Sequence, residues 1–94
     1  MALRFSWDPR KAAINRRKHG VSFEEAVTAF ADRLSLTTSD PQHSESEDRF
    51  VLLGLSANAR ILVVVHAERD DYDIRIISAR LASRRERIQY EEGI

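Results

Sequence analysis

Residues 49–69 read RFVLLGLSANARILVVVHAER. Two apolar runs, Phe50–Leu55 and Ile61–Val65, are broken by a short polar stretch, the pattern of two strands joined by a turn. The turn falls at Asn58–Ala59 and lacks the glycine that favours a two-residue hairpin. The run Ile61–Val65 is apolar without interruption, which predicts a central strand covered on both faces. A hairpin around such a strand makes an antiparallel sheet the organising element of the chain.

Working outward, DDYD (70–73) turns the chain into IRIISAR (74–80), a further strand. SRRERIQYEE (83–92) then reads as a helix, with Ser83 and Glu86 at capping-box spacing. Upstream, LSLTT (34–38) is a strand and SDPQHSESED (39–48) a polar loop. LRFSW (3–7) alternates apolar and polar residues and gives a short first strand. Asp8 and Pro9 suit the N-cap and first position of a helix, which runs to His19 and stops at Gly20 in a left-handed cap. Ser22 and Glu25 again have capping-box spacing. Phe23, Ala26, Val27 and Phe30 form one apolar stripe, expected to pack on the sheet with Val63 and Val65. The order β-α-α-β-β-β-β-α defines an α+β domain over residues 1–94 with a mostly antiparallel sheet.

Composition fits that outline. The chain has 94 residues, 43% apolar and 32% charged, and a chain of this size buries roughly 60–65% of its unfolded surface. No apolar run approaches the roughly 18–20 residues of a membrane helix. The segment MALRFSWDPRK lacks the apolar core of an export signal, and there is no Cys; both fit a reducing cytoplasm. His19, His43 and His66 stand at no metal-ligand spacing, so neither a metal nor another cofactor is expected. The net charge of zero hides segregation. Residues 1–20 hold six cations against Asp8, whereas residues 21–50 hold seven anions against Arg33 and Arg49. Arg75 to Arg87 carries five arginines against Glu86. A basic face could meet nucleic acid; the alternative is an ordinary solvated surface.

Several residues could carry chemistry. Arg60, Arg69, Arg75 and Arg80 lie at strand ends or within the strand after the central one. A guanidinium presents a planar, permanently charged fork to phosphate oxygens. The same arginines could instead pair with Glu68, Asp70, Asp71 and Asp73. Lys11 and Lys18 share a polar stripe of the first helix with Asp8 and Asn15, and could reach phosphates or simply face solvent. His43 and Glu47, in the polar loop with Glu45 and Arg49, are candidates for general acid and base.

FSWDPRKAAINRRKHGVSFEEA (5–26), HSESEDR (43–49), RILVVVHAER (60–69), IRIISAR (74–80) and RRERIQYEE (84–92) together resemble the BrnT family, small ribonuclease toxins of bacterial type II toxin–antitoxin systems. The most specific parts are Trp7-Asp8-x-x-Lys11-x-x-x-Asn15-x-x-Lys18-His19-Gly20-Val21-x-Phe23-Glu24-Glu25-Ala26 and Ile74 through Arg80. The resemblance implies a RelE-like fold and metal-independent endonucleolytic cleavage of RNA by its own 2′-hydroxyl. It also implies an RNA substrate and a BrnA-like antitoxin that forms a hetero-oligomer with the toxin and represses the shared operon. On that basis Arg69 and Arg80, then Arg60, with His43 and Glu47, are the expected catalytic set; Arg75, Lys11 and Lys18 are the expected RNA-binding set. A non-catalytic binding or regulatory module of the same fold is the alternative.

Overall fold

The computed structural model describes residues 2–40 and 48–93. Five strands make one sheet: β1 (Arg4–Ser6), β2 (Leu36–Ser39), β3 (Asp48–Leu55), β4 (Ile61–Glu68) and β5 (Asp73–Leu81). Their spatial order is β1-β5-β4-β3-β2, with β4 in the middle as its unbroken apolar run predicts. Helices α1 (Pro9–His19) and α2 (Phe23–Thr28), with a 3-10 turn at Ala29–Ala31, separate β1 from β2. Helix α3 (Arg84–Glu92) follows β5. Among the described residues no helix is long and apolar enough to cross a membrane.

The sheet is mixed. Pairs β2–β3, β3–β4 and β4–β5 are antiparallel, but β1 lies parallel to β5, with Phe5 opposite Ile74. A hairpin leaves a turn signal in the sequence. The β1–β5 pairing joins the two ends of the chain and leaves none.

Local signals account for the helix ends. The Asp8 carboxylate accepts the Arg10 N–H at 2.8 Å, and Gly20 closes α1 at φ 70°. Ser83 and Glu86 make both arms of their capping box. The Ser22 box is only half made: its hydroxyl accepts the Glu25 N–H at 3.0 Å, but the Glu25 side chain is engaged elsewhere. The β3–β4 connection is also longer than a two-residue turn. The Ser56 N–H donates to the Arg60 carbonyl at 2.8 Å, and Ala59 takes φ 60°, where glycine would be unstrained.

Directly paired strand residues share a face, which separates two cores. Leu52, Leu62, Val64, Ile74, Ile76 and Ala79 meet Val21, Phe23, Ala26 and Ala29 of the α1–α2 layer, with Val27 and Phe30 packed beside them. Leu53, Val63 and Ala82 form the second cluster, with Tyr90 of α3 packed on it. The stripe Phe23, Val27, Phe30 therefore packs on the sheet against the Leu62 and Val64 side, not against Val63 and Val65. Successive strand residues alternate faces, and an uninterrupted apolar run does not reveal which parity points where. One buried polar side chain ties the layers together. Asn15 on α1 donates to the carbonyls of Val21 (3.0 Å) and Ala79 (2.8 Å), and accepts the Ala79 N–H (3.1 Å).

Candidate functional site

The face of the sheet away from α1 and α2 carries the arginines. Arg75 and Arg80 are five residues apart, so a regular strand would point them to opposite sides. The register prevents this. Val65 pairs with Ser78 but His66 pairs with Ile76, leaving one extra residue, Ile77, on β5. Such a bulge shifts the alternation by one. Arg75 then sits opposite Ala67, Arg80 opposite Val63, and both share the face of Val63.

That face is organised in rows across the sheet. One row is Arg49–Ala67–Arg75–Ser6, the next Val51–Val65–Ser78, and the third Leu53–Val63–Arg80. Helix α3 packs on the third row through Tyr90. Strand spacing puts Arg49 and Arg75 on either side of Ala67, roughly 10 Å apart in backbone terms. At the β1 edge, Arg4, Arg69 and Arg75 line a concavity of about 300 Å³ together with Ser6, Asp73 and Ile74. Arg4 is held there by Asp73, Nε to Oδ1 at 2.8 Å. No hydrogen bond or ion pair among the described residues engages the Arg75 guanidinium.

Arg80 lies inside β5 rather than beyond it. Its fork meets Glu86 of α3 in a bidentate pair, Nη1 to Oε1 at 2.8 Å and Nη2 to Oε2 at 2.9 Å. The Arg80 fork, helped by Ser83, holds the Glu86 carboxyl down to about 2 against the opposing effect of burial. Glu86 thus caps α3 and fixes Arg80 at once.

Arg60 does not join this face. It turns to the α1–α2 layer, where Nε donates to Glu25 Oε2 at 2.9 Å, Nη2 bonds Glu25 Oε1, and Nη2 also reaches the Gly20 carbonyl at 3.2 Å. Glu25 is buried and also accepts the Ser56 hydroxyl at 2.7 Å. The Arg60 fork lowers the Glu25 carboxyl below its usual range although burial opposes this. The expected acidic partners near Arg60 and Arg80 are likewise replaced: Glu25 and Glu86, not Glu68, Asp71 or Asp73, pair with them. Asp70 instead accepts the Tyr72 and Asp73 N–H groups, at 2.9 and 3.0 Å, and shapes the β4–β5 turn.

Lys11 and Lys18 are exposed on α1, whose packed side meets the opposite face of the sheet. They are not brought together with Arg69, Arg75 and Arg80. His43 and Glu47 lie outside the described residues. Arg49 belongs to the arginine rows and Arg4 to the concavity beside them, and spacing singles out neither. Arg49 is in β3, not in the polar loop, and only the pairing register reveals its neighbours.

Among the described residues, His66 is the one buried histidine. It sits between Phe30 and Phe50, ring centroids 4.8 and 5.8 Å away, with Nε2 3.2 Å from Glu68 Oε2. Burial lowers its pKa, against the effect of Glu68. It lies beside Phe30 of the 3-10 turn, on the opposite face of the sheet from the arginine rows.

Fold and face together define a small α+β protein with a cationic sheet surface. Its family follows from comparison with known proteins. The model of the BrnT family, ribonuclease toxins of type II toxin–antitoxin systems, matches residues 7–86. The chain belongs to that family. The crystal structure of the ribonuclease toxin BrnT of Brucella abortus is similar to it with a TM-score of 0.59 at 23% sequence identity, covering 88% of this chain and 100% of that one. At that identity the likeness speaks for the fold. A search of curated protein sequences returns no match.

Proposed function

We propose that the chain is the toxin of a type II toxin–antitoxin pair and an endoribonuclease that holds RNA on the arginine-bearing face of its sheet. The observation that carries this is the β5 bulge, which aligns Arg75 and Arg80 on one face with Arg49 in register, in a chain of a ribonuclease-toxin family. Arg4, Arg49, Arg69 and Arg75 bind successive phosphates, and Arg80 stands next to them at the α3 end. Arginine forks supply charge at the phosphoryl oxygens as the reaction proceeds. They need no metal for this, and RNA supplies its own nucleophile. The 2′-oxygen bonds to phosphorus as the bond to the 5′-oxygen breaks. A base takes the 2′ proton and an acid protonates the departing 5′-oxygen. His43 and Glu47 remain the candidates for those two roles. Arg60 is a structural residue in this scheme, and Lys11 and Lys18 contact RNA only where a long strand wraps past α1.

The whole of residues 1–94 acts as one RelE-like unit in the cytoplasm. A BrnA-like antitoxin silences it in a hetero-oligomer that represses the operon. Incubating the purified chain with RNA in EDTA tests the chemistry. Cleavage should persist and leave 2′,3′-cyclic phosphate and 5′-hydroxyl ends. Products with 5′-phosphates that form only with added Mg²⁺ would refute the mechanism.

A further inference from the structure

Between α3 and the sheet lies a cleft of about 180 Å³, lined by Thr38, Val51, Leu53, Val63, Glu86 and Gln89 among others. It is smaller than the roughly 300–1,000 Å³ of pockets for drug-sized ligands, which suits a single planar ring system. Its floor is apolar: Val51 and Leu53 from β3 and Val63 from β4. Its rim is polar and two-sided. The Thr38 hydroxyl stands on the β2 side, and the Gln89 amide and Glu86 carboxylate on the α3 side.

The rim groups differ in how they are engaged. Glu86 Oε1 accepts from Arg80 and from the Ser83 N–H, and Oε2 from Arg80. No hydrogen bond among the described residues uses the Gln89 side-chain amide. An amide carries two donors and an acceptor, so Gln89 can read a base edge while Glu86 stays fixed. The cleft also borders the arginine rows. Val63 on its floor pairs with Arg80, and Val51 lies one residue pair from the Arg49–Ala67–Arg75 row. A strand whose phosphates follow those arginines would bring an unstacked base to the mouth of the cleft. Sequence-specific RNA recognition takes up splayed, unstacked bases and reads their edges by hydrogen bonds, and an aliphatic floor would remove the base face from water.

We infer that this cleft is a nucleobase subsite and that Gln89 is a specificity-determining residue for the RNA. The inference rests on the ribonuclease reading above, but its test does not depend on cleavage. Methyl and side-chain amide NMR spectra of the full chain are recorded during titration with AMP, CMP, GMP and UMP, and with ribose 5-phosphate as the control lacking a base. The expected result is base-dependent shifts at the Val51, Leu53 and Val63 methyls and the Gln89 amide, absent with ribose 5-phosphate. Gln89→Ala, at an exposed helix position, should weaken the preferred nucleotide about fivefold, the equivalent of one hydrogen bond. Shifts confined to arginine-bearing segments, identical with and without a base, would overturn the subsite. Wild-type cleavage of RNA is measured alongside. Cleavage without base-dependent shifts would leave the nuclease and remove the subsite, whereas base-dependent shifts without cleavage would do the reverse.

Discussion

At the scale of single residues, four arginines of similar sequence context have different fates. Arg60 is anchored to buried Glu25 and the Gly20 carbonyl. Arg80 is anchored to Glu86. Arg75 has a guanidinium free to meet a ligand and lines the same concavity as Arg4 and Arg69. The distinction yields a prediction that separates binding from folding. Arg75→Ala should lower RNA cleavage by about 10–100-fold, the worth of a charge-assisted contact to phosphate, while leaving the melting temperature near that of the wild type. Arg75→Lys should rescue little, because an ammonium lacks the bidentate fork. Arg60→Ala should do the opposite: a lower melting temperature, since it strands a buried carboxylate, with cleavage per folded molecule unchanged. Rates and thermal melts on the three variants decide it; full activity in Arg75→Ala would remove this residue from the site. Spacing alone could not sort these arginines. Arg60 finds its partner 35 residues away on α2, and such a contact leaves no local pattern.

At the scale of elements, legibility followed locality. The caps at Asp8, Gly20 and Ser83 could be read because each involves neighbours within a few positions. The central place of β4 could be read from its apolar run. The β5 bulge and the parallel β1 could not: the bulge appears only in the register of β5 against β4, and β1 pairs with a strand about 70 residues further on (Arg4 with Asp73). Yet the bulge is what gives the candidate site its shape. Helix α3 shows the same dependence on distant partners. It exposes most of its surface, and Ile88 is 46% exposed. The sheet-facing side is fixed at two points: Glu86 to Arg80, and Tyr90 to Asp32 with Oη to Oδ2 at 2.6 Å. That hydrogen bond, with burial, pushes the Tyr90 hydroxyl up to about 12. Asp32 keeps the Leu34 and Leu55 N–H groups as partners without it. Tyr90→Phe should therefore cost about 1 kcal/mol, the worth of one net hydrogen bond, measured by urea unfolding. A change of less than about 0.3 kcal/mol would mean that the pair does not hold α3 in solution.

At the scale of the whole molecule, a net charge of zero conceals an uneven distribution that shapes behaviour with pH. Two sets of groups titrate differently in the folded chain and the unfolded one. Burial lowers His66, so between its folded pKa and the ordinary histidine value of 6.5 the unfolded chain holds more protons than the folded chain. Stability must rise with pH across that window and be lost as pH falls below about 6.5, at most about 1.4 kcal/mol per pH unit for one proton. Glu25, Asp32 and Glu86 are also lowered, Glu86 from 4.5 to about 2. Their contribution is present above the ordinary carboxylate range and lost on further acidification towards pH 2. The expected profile is a plateau above pH 7, a first decline beginning near 6.5, and a steeper one below about 4.5. His66→Leu keeps an apolar side chain between Phe30 and Phe50 and removes the titrating ring. It should flatten the first decline and leave the second in place, whatever it does to stability at pH 7. Urea midpoints measured from pH 7.5 to 5 on both proteins give the slopes. An equal slope in wild type and His66→Leu would show that another group carries the first decline and that burial of His66 does not govern the acid limb.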